Sequence, residues 1–352
     1  MAMESLLFDK EILFHLPDVY AVNAMSVDGG MIVMAGSETR HLPCVMSYPL
    51  LNKEEIVNCL GGMMSINPVA DDGSKLVSVM GLFPGFNGLE GGIYSHVRDN
   101  GAWNTRLLFP LPFAHRCDVL NRDGRRYVFM ASVSKHKANP DDWSMPGETY
   151  CGVYNKSTGC LDDITCIDAS LTRNHGMLKY ELPGSGRESI YVSGREGIYE
   201  YDVVSGRIES RRIFDGEVSE FAFVDINGDG NVELVTIEPF HGNRLNVYRP
   251  EGNDGWMQIF SHTLAFGHGL SAGTLDGKPL IAVGNRRGDA SLIVFGYDKE
   301  SESIEKVYEE PGTGTTQSLF VVCNGVSGIL CANQAKQEVV IYKLIKNEQY
   351  SK

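Results

Sequence analysis

The sequence predicts an all-β fold, a seven-bladed β-propeller closed by its own N-terminal strand. Three observations carry that expectation. Short β-rich runs at 30–34, 75–80, 127–133, 189–193, 233–237, 280–283 and 339–344 are separated by Gly, Asp, Asn or Pro, and almost no stretch keeps a helical period. His115, His175, Glu220, His268 and Gln317 each stand before an apolar run that ends in a Gly-containing turn. They recur roughly every fifty residues, the length of one propeller blade. Finally, the last repeat ends in VVIYKLI, one strand short, and the N-terminal run SLLFDKEILF is available to fill the gap. Closing the ring in this way removes the free edges that invite aggregation.

The repeat divides the chain, as a single domain over 1–352, into blades at 17–52, 54–110, 112–169, 171–214, 216–264, 266–311 and 313–346. Blades one and two are the least regular, and seven is preferred over six or eight. In such a blade the innermost strand comes first. The loop entering it and the loop between its second and third strands lie on one face of the disk. The turn between the first and second strands lies on the other. The five repeated residues therefore share a mouth with the loop at 134–147, with Arg195, with Glu238 to Gly242 and with Asn285-Arg286-Arg287.

Composition excludes some functions. The formal net charge is −14 and no Lys/Arg cluster offers a basic face, which argues against nucleic acid. No apolar run is long enough to span a membrane. The first sixteen residues mix Asp, Lys and two Glu among apolar residues, so they read neither as a signal peptide nor as an anchor. The expectation is a cytoplasmic protein whose eight cysteines, none in a CxxC pair, are reduced and mostly pack as small core residues.

Four motifs bear on chemistry. Imidazoles and a carboxylate brought to one ring can hold a divalent ion. The expected catalytic metal ligands are His115, His175 and His268, with Glu220 as fourth ligand or competing base, and zinc or manganese as the ion; a plain hydrogen-bonded ring is the competing arrangement. The stretch Asp225-Ile-Asn227-Gly-Asp229-Gly-Asn231-Val-Glu233 has alternate oxygen side chains around Gly. That pattern resembles the calcium loop of FG-GAP propeller repeats, which makes a structural calcium at Asp225, Asn227, Asp229 and Glu233 one expectation and an Asx-closed hairpin turn the other. The long segment SKHKANPDDWSMPGETY offers His136, Lys137, Asp141, Asp142 and Trp143. Loops of this length inside a compact domain are often functional, and Trp143 is suited to stack on a sugar ring. Last, His241 and His268 are flanked by Gly, which allows close backbone approach, and imidazole suits proton transfer.

Together the segments HRCDVLNRDG, SKHKANPDDWSMPG, NHGML, EPFHGNRLNVYR and FGHGLSAGTLDGKPLIAVGNRRG resemble the propeller portion of aldos-2-ulose dehydratase and its FG-GAP relatives, over about residues 112–297. The resemblance implies a carbohydrate lyase that dehydrates keto-sugars with a bound divalent metal; the family enzyme also carries cupin domains, which these 352 residues do not contain. The reaction would be β-elimination or the related enolisation. A Lewis acid at the carbonyl oxygen, a base for the α proton and an acid for the leaving group are what that chemistry needs. His241 is the expected proton-transfer residue. Lys137, His136 and Arg286 would bind hydroxyls or steady negative charge, and Trp143 would wall the pocket. The alternative is a non-catalytic FG-GAP propeller that binds a glycan or a protein partner. A hydrolase or glycosyl transferase would need paired carboxylates, for which Glu220, Glu238, Asp141 and Asp142 are the available residues.

Overall fold

The computed structural model describes residues 6–252, 255–323 and 325–345. Ser5, the first residue of the expected closing run, lies outside them. The described residues form seven four-stranded antiparallel sheets, one per blade, arranged as a seven-bladed propeller. The inner strands are Val19–Val27, Ser65–Pro68, Ala114–Arg122, Met177–Tyr180, Glu220–Val224, Gly267–Leu275 and Thr315–Cys323. The seventh sheet takes its outer strand from the other end of the chain: Phe8–His15 pairs antiparallel with Glu338–Leu344, from Phe8 opposite Leu344 to His15 opposite Glu338. The expected closure is what the structure shows.

Local sequence dictates the hairpins. Asn100-Gly101, Asp123-Gly124, Ser205-Gly206 and Asp276-Gly277 all have positive φ at both residues. Two-residue turns with that backbone match the right-handed twist of the strands they join, and Asn, Asp and Gly tolerate it. Burial then follows the pleat. Side chains on facing sheets fill the wedges between blades: Val33, Ala35 and Met46 of blade one pack with Leu330, Ala332, Val339 and Ile341 of blade seven. Ile281, Val283 and Phe295 of blade six meet Val235, Ile237 and Val247 of blade five in the same way. Apolar burial at about 25 cal/mol per Å² is thus spread around the ring rather than gathered at a centre, and the axis is left to polar groups. No helix among the described residues is long and apolar enough to cross a membrane.

A β-bulge opens several inner strands. The register shifts between Val19 and Ala21, Ala114 and Arg116, Gly267 and Leu270, and Thr315 and Gln317. A bulge adds one residue and re-aims its side chain. Blades two, four and five begin in the same manner: Met64, His175 and Ser219 each donate their backbone N–H to Val79, Ser193 and Ile237. The equivalent positions are therefore Tyr20, Met64, His115, His175, Ser219, His268 and Thr316. Two expectations shift by one residue. Glu220 and Gln317 do not belong to that ring but to the layer below it, with Arg116, because the extra bulge residue precedes them.

Candidate active site at the propeller mouth

The bulge residues make a ring with a repeating hydrogen-bond rule, in which a side chain bonds the carbonyl of the next blade. His115 Nδ1 meets His175 O at 3.1 Å, His175 Nδ1 meets Ser219 O at 3.2 Å, and His268 Nδ1 meets Thr316 O at 2.8 Å. Thr316 Oγ1 donates to Tyr20 O at 2.8 Å. A carbonyl only accepts, so each of the three Nδ1 atoms carries the proton. Burial, foremost, keeps His115 and His268 uncharged, with ring protonation held well below the ordinary histidine range; both are almost fully enclosed, at 2% and 1% exposure. Their Nε2 atoms are consequently lone pairs.

Those lone pairs face few donors. Tyr20 Oη stands 3.2 Å from His115 Nε2 and 3.1 Å from His268 Nε2, with one proton for the two. His175 Nε2 lies 3.1 Å from His241 Nε2. His241 comes from the loop between the second and third strands of blade five, the face that the sequence assigned to it. Its φ is +47°, it donates its backbone N–H to Ser219 Oγ at 3.1 Å, and Gly242 beside it is required because a Cβ there would lie 2.1 Å from Glu238 O. Burial lowers His241 as well. One ligand atom from each of His175, His241 and His268 lies within 4.8 Å of the others. Ligands bound at 2.0–2.1 Å in a tetrahedron stand about 3.3 Å apart, so the edge between His175 and His241 already has the right length.

The expected ligand set is therefore rearranged. His115 is in the ring, but its Nε2 turns to Tyr20, outside the group of three. His241 takes its place. Glu220 sits behind His175 rather than in front of it: its Oε1 is 3.0 Å from His175 Nδ1 and 2.5 Å from Arg116 Nη2. Burial alone would raise that carboxyl, but the Arg116 guanidinium and His175 hold it below the usual carboxylate range. It is an orienting partner for the imidazole, the arrangement that backs metal-binding histidines. Arg116 also donates to Met64 O at 3.0 Å, as Gln317 Nε2 does at 2.8 Å. Below this layer the axis widens into a cavity of about 340 Å³, lined by the inner strands and reaching toward the opposite face.

Above the imidazoles stands an aromatic wall. Trp143 packs against Phe86 and Phe240, each at 4.8 Å between ring centres, and Phe240 stacks on His241 at 4.1 Å. Lys137 Nζ lies 3.2 Å from the centre of the Trp143 ring and donates to Asp142 O at 2.7 Å. Its desolvation brings the amine down to about 8. Arg173 pairs with Glu217 beside Phe240, and Arg287 lies over Phe266 at 4.9 Å. Arg286 reaches Gln334 and stands 3.6 Å from Glu38, over the Tyr20 ring. His136 is exposed, and its carbonyl accepts from Ser134 Oγ at 2.7 Å. Sequence reasoning missed Tyr20, Phe86 and Arg116. Extending the fifty-residue repeat back into blade one would have reached Tyr20, whereas Phe86 lies in the loop between the second and third strands of blade two, outside the repeated positions, and carries no signal.

The Asp225 loop lies at the opposite end of the same inner strand. Asp225 Oδ1 accepts from the amides of Gly228 and Asp229 at 2.8 and 3.0 Å, and Oδ2 from Gly230 at 2.9 Å. Asp229 Oδ1 accepts from Asn231, and Glu233 Oε2 from Ile226. The turn takes the Asx-closed form, and each carboxylate oxygen keeps a second lone pair beside its amide bond.

No family model matches the chain, and no curated protein matches it. Among solved structures it is similar to a putative 6-phosphogluconolactonase from Bacteroides uniformis, with a TM-score of 0.51 and 14% identity over 94% of both chains. It is also similar to a chain of a mitotic checkpoint complex, with a TM-score of 0.61 and 11% identity over 96% of this chain and 94% of that one. At these identities the likeness is one of fold.

Proposed function

We propose that the chain is a metal-dependent enzyme acting on a small keto-sugar or keto-glycoside at the histidine mouth, by β-elimination or enolisation. One observation carries the reading: His175, His241 and His268 offer ligand atoms within 4.8 Å of one another, two of them with Nδ1 fixed on backbone carbonyls. Nitrogen donors held in that way by a second layer of hydrogen bonds fit a divalent ion such as zinc or manganese. The ion would supply Lewis acidity toward a ligand carbonyl. The chain's own groups do the rest. Trp143, Phe86 and Phe240 offer apolar faces to a sugar ring. Lys137, whose Nζ stands over the Trp143 and Phe86 rings and whose amine is brought down to about 8 by desolvation, would take the α proton. Arg287 and Arg173 steady the oxygens that gain charge. Glu220 keeps His175 in its Nδ1-protonated form. The likeness to a putative sugar lactonase is compatible with this substrate class and does not identify the reaction.

The test is elemental mass spectrometry on protein purified without added metal, together with turnover on a panel of keto-sugars. Wild type should carry about one transition-metal ion per chain. The His175→Ala, His268→Ala double variant should carry none and lose at least about a thousandfold in turnover. A wild type with neither metal nor turnover sinks the reading. It then leaves the non-catalytic alternative, a glycan- or protein-binding propeller, which the aromatic cluster at the mouth favours over a bare channel.

A further inference from the structure

We propose that Tyr20 supplies an oxygen ligand to the ion, so that the site is a three-imidazole, one-phenolate set of His175, His241, His268 and Tyr20. The inference rests on the metal reading above and adds a ligand to it. Tyr20 occupies the bulge of blade one, the position that carries histidine in blades three, four and six. It is buried, at 3% exposure. Its hydroxyl touches two nitrogens that have no proton, since His115 and His268 both direct their Nδ1–H at carbonyls. A hydroxyl has one proton to donate, so whichever ring it chooses, the other lone pair stays unmatched. A buried surplus of lone pairs is what a cation binds.

Distances agree. Tyr20 Oη lies 3.1 Å from His268 Nε2, close to the roughly 3.3 Å between two ligands of one tetrahedral ion. The carboxylate that the sequence put forward as the oxygen donor is engaged elsewhere: Glu220 is held by Arg116 and sits against the Nδ1 side of His175, away from the Nε2 edge. Burial opposes ionisation of the Tyr20 hydroxyl, and the positive charges of Arg116 and of Arg286, whose guanidinium lies 5.9 Å from the Tyr20 ring centre, favour it. On binding, the Oη–H bond breaks, the proton leaves to solvent and an Oη–metal bond forms; no oxidation state changes. An anionic oxygen beside three imidazoles is a harder donor set than imidazoles alone, so ferric iron serves as its spectroscopic probe, and an ion that expands to five-coordination would keep one position for the substrate carbonyl.

The experiment loads metal-stripped protein with ferric nitrilotriacetate and, separately, with zinc, and records stoichiometry and the visible spectrum. Wild type should bind about one iron per chain and show a tyrosinate-to-iron charge-transfer band. Tyr20→Phe should lose the band and bind ferric iron about tenfold or more weakly, with zinc affected less, while Tyr180→Phe, on the inner strand of blade four, keeps both. Iron bound by wild type without the band overturns the proposal and leaves the metal reading intact, and this measurement needs no variant to fold. A band that survives in Tyr20→Phe overturns it as well. A wild type that binds neither metal overturns this proposal and the metal reading together.

Discussion

The inner strand of blade five, Glu220–Val224, joins two places where the sequence expects a metal: the histidine mouth at its start and the Asp225 turn at its end. The structure distinguishes them by where their lone pairs go. At the turn, both oxygens of Asp225 and one each of Asp229 and Glu233 accept backbone amides of the same hairpin. Every bond there is local, and together they close the loop. At the mouth, Nδ1 atoms are consumed by carbonyls of the next blade while Nε2 atoms converge with too few protons among them. The residue types are equally suited to ions. The first arrangement is closed within its own hairpin, whereas the second joins neighbouring blades and leaves Nε2 lone pairs facing one another.

The comparison breaks most severely at Glu220, the carboxylate that supports the open site from below. Glu220→Gln leaves Arg116 charged and buried without its counter-ion. Removing one partner of a buried pair typically costs about 3–5 kcal/mol. The same change loosens the orientation of His175, so metal affinity should fall about tenfold to a hundredfold. Denaturant unfolding and metal titration read the two effects separately. Unchanged stability would mean that the pair between Arg116 and Glu220 is better solvated than its burial implies.

A smaller effect is expected at the closed end. Asp225→Ala removes the acceptor of three amides and should cost about 1–3 kcal/mol, with metal content at the mouth unchanged. Added calcium should not restore the loss in the variant, which lacks the Asp225 carboxylate. A calcium-dependent rise of several degrees in wild type would show that the second lone pairs take an ion, and that the two ends of the strand differ less than their hydrogen bonds indicate.

Much of this was legible in the sequence, for a physical reason. Blade count, closure by Phe8–His15 and the shared face of His175, His241 and His268 follow from strand alternation and turn chemistry, which act within a few residues. What escaped depends on register and on distant partners. The bulge that makes Ser219 and Thr316, rather than Glu220 and Gln317, equivalent to His115 shifts the pairing by one residue and leaves no mark in composition. Whether Glu220 faces an ion or backs an imidazole depends on Arg116, 104 residues away in the chain. The spacing of oxygens around Asp225 serves a calcium loop and an Asx-closed turn alike.

The last prediction sharpens the comparison with a third buried group. His96 is fully enclosed in blade two, yet both of its nitrogens have partners: Nε2 meets Ser78 Oγ at 2.7 Å and Nδ1 meets Thr105 Oγ1 at 3.0 Å. Like the Asp225 turn, it is closed. Burial holds it down to about 3, so the folded chain refuses a proton that the unfolded chain accepts near 6.5. The sign follows: stability is complete above pH 6.5 and declines as pH falls toward 3. Between pH 6.5 and 5.5 this one residue accounts for about 1 kcal/mol. His96→Gln, which can bond the same two hydroxyls, should remove that share of the acid sensitivity whether or not metal is present. His115, His241 and His268, lowered first by burial, have the same sign without ion, but an ion at the mouth adds a ligand-dependent part, since protons then compete with metal. Acid unfolding measured with and without bound metal therefore separates the two kinds of histidine. Metal should shift the wild-type curve, and it should leave the difference between wild type and His96→Gln unchanged. A difference that varies with metal would place His96 in communication with the mouth and end the distinction between closed and open sites.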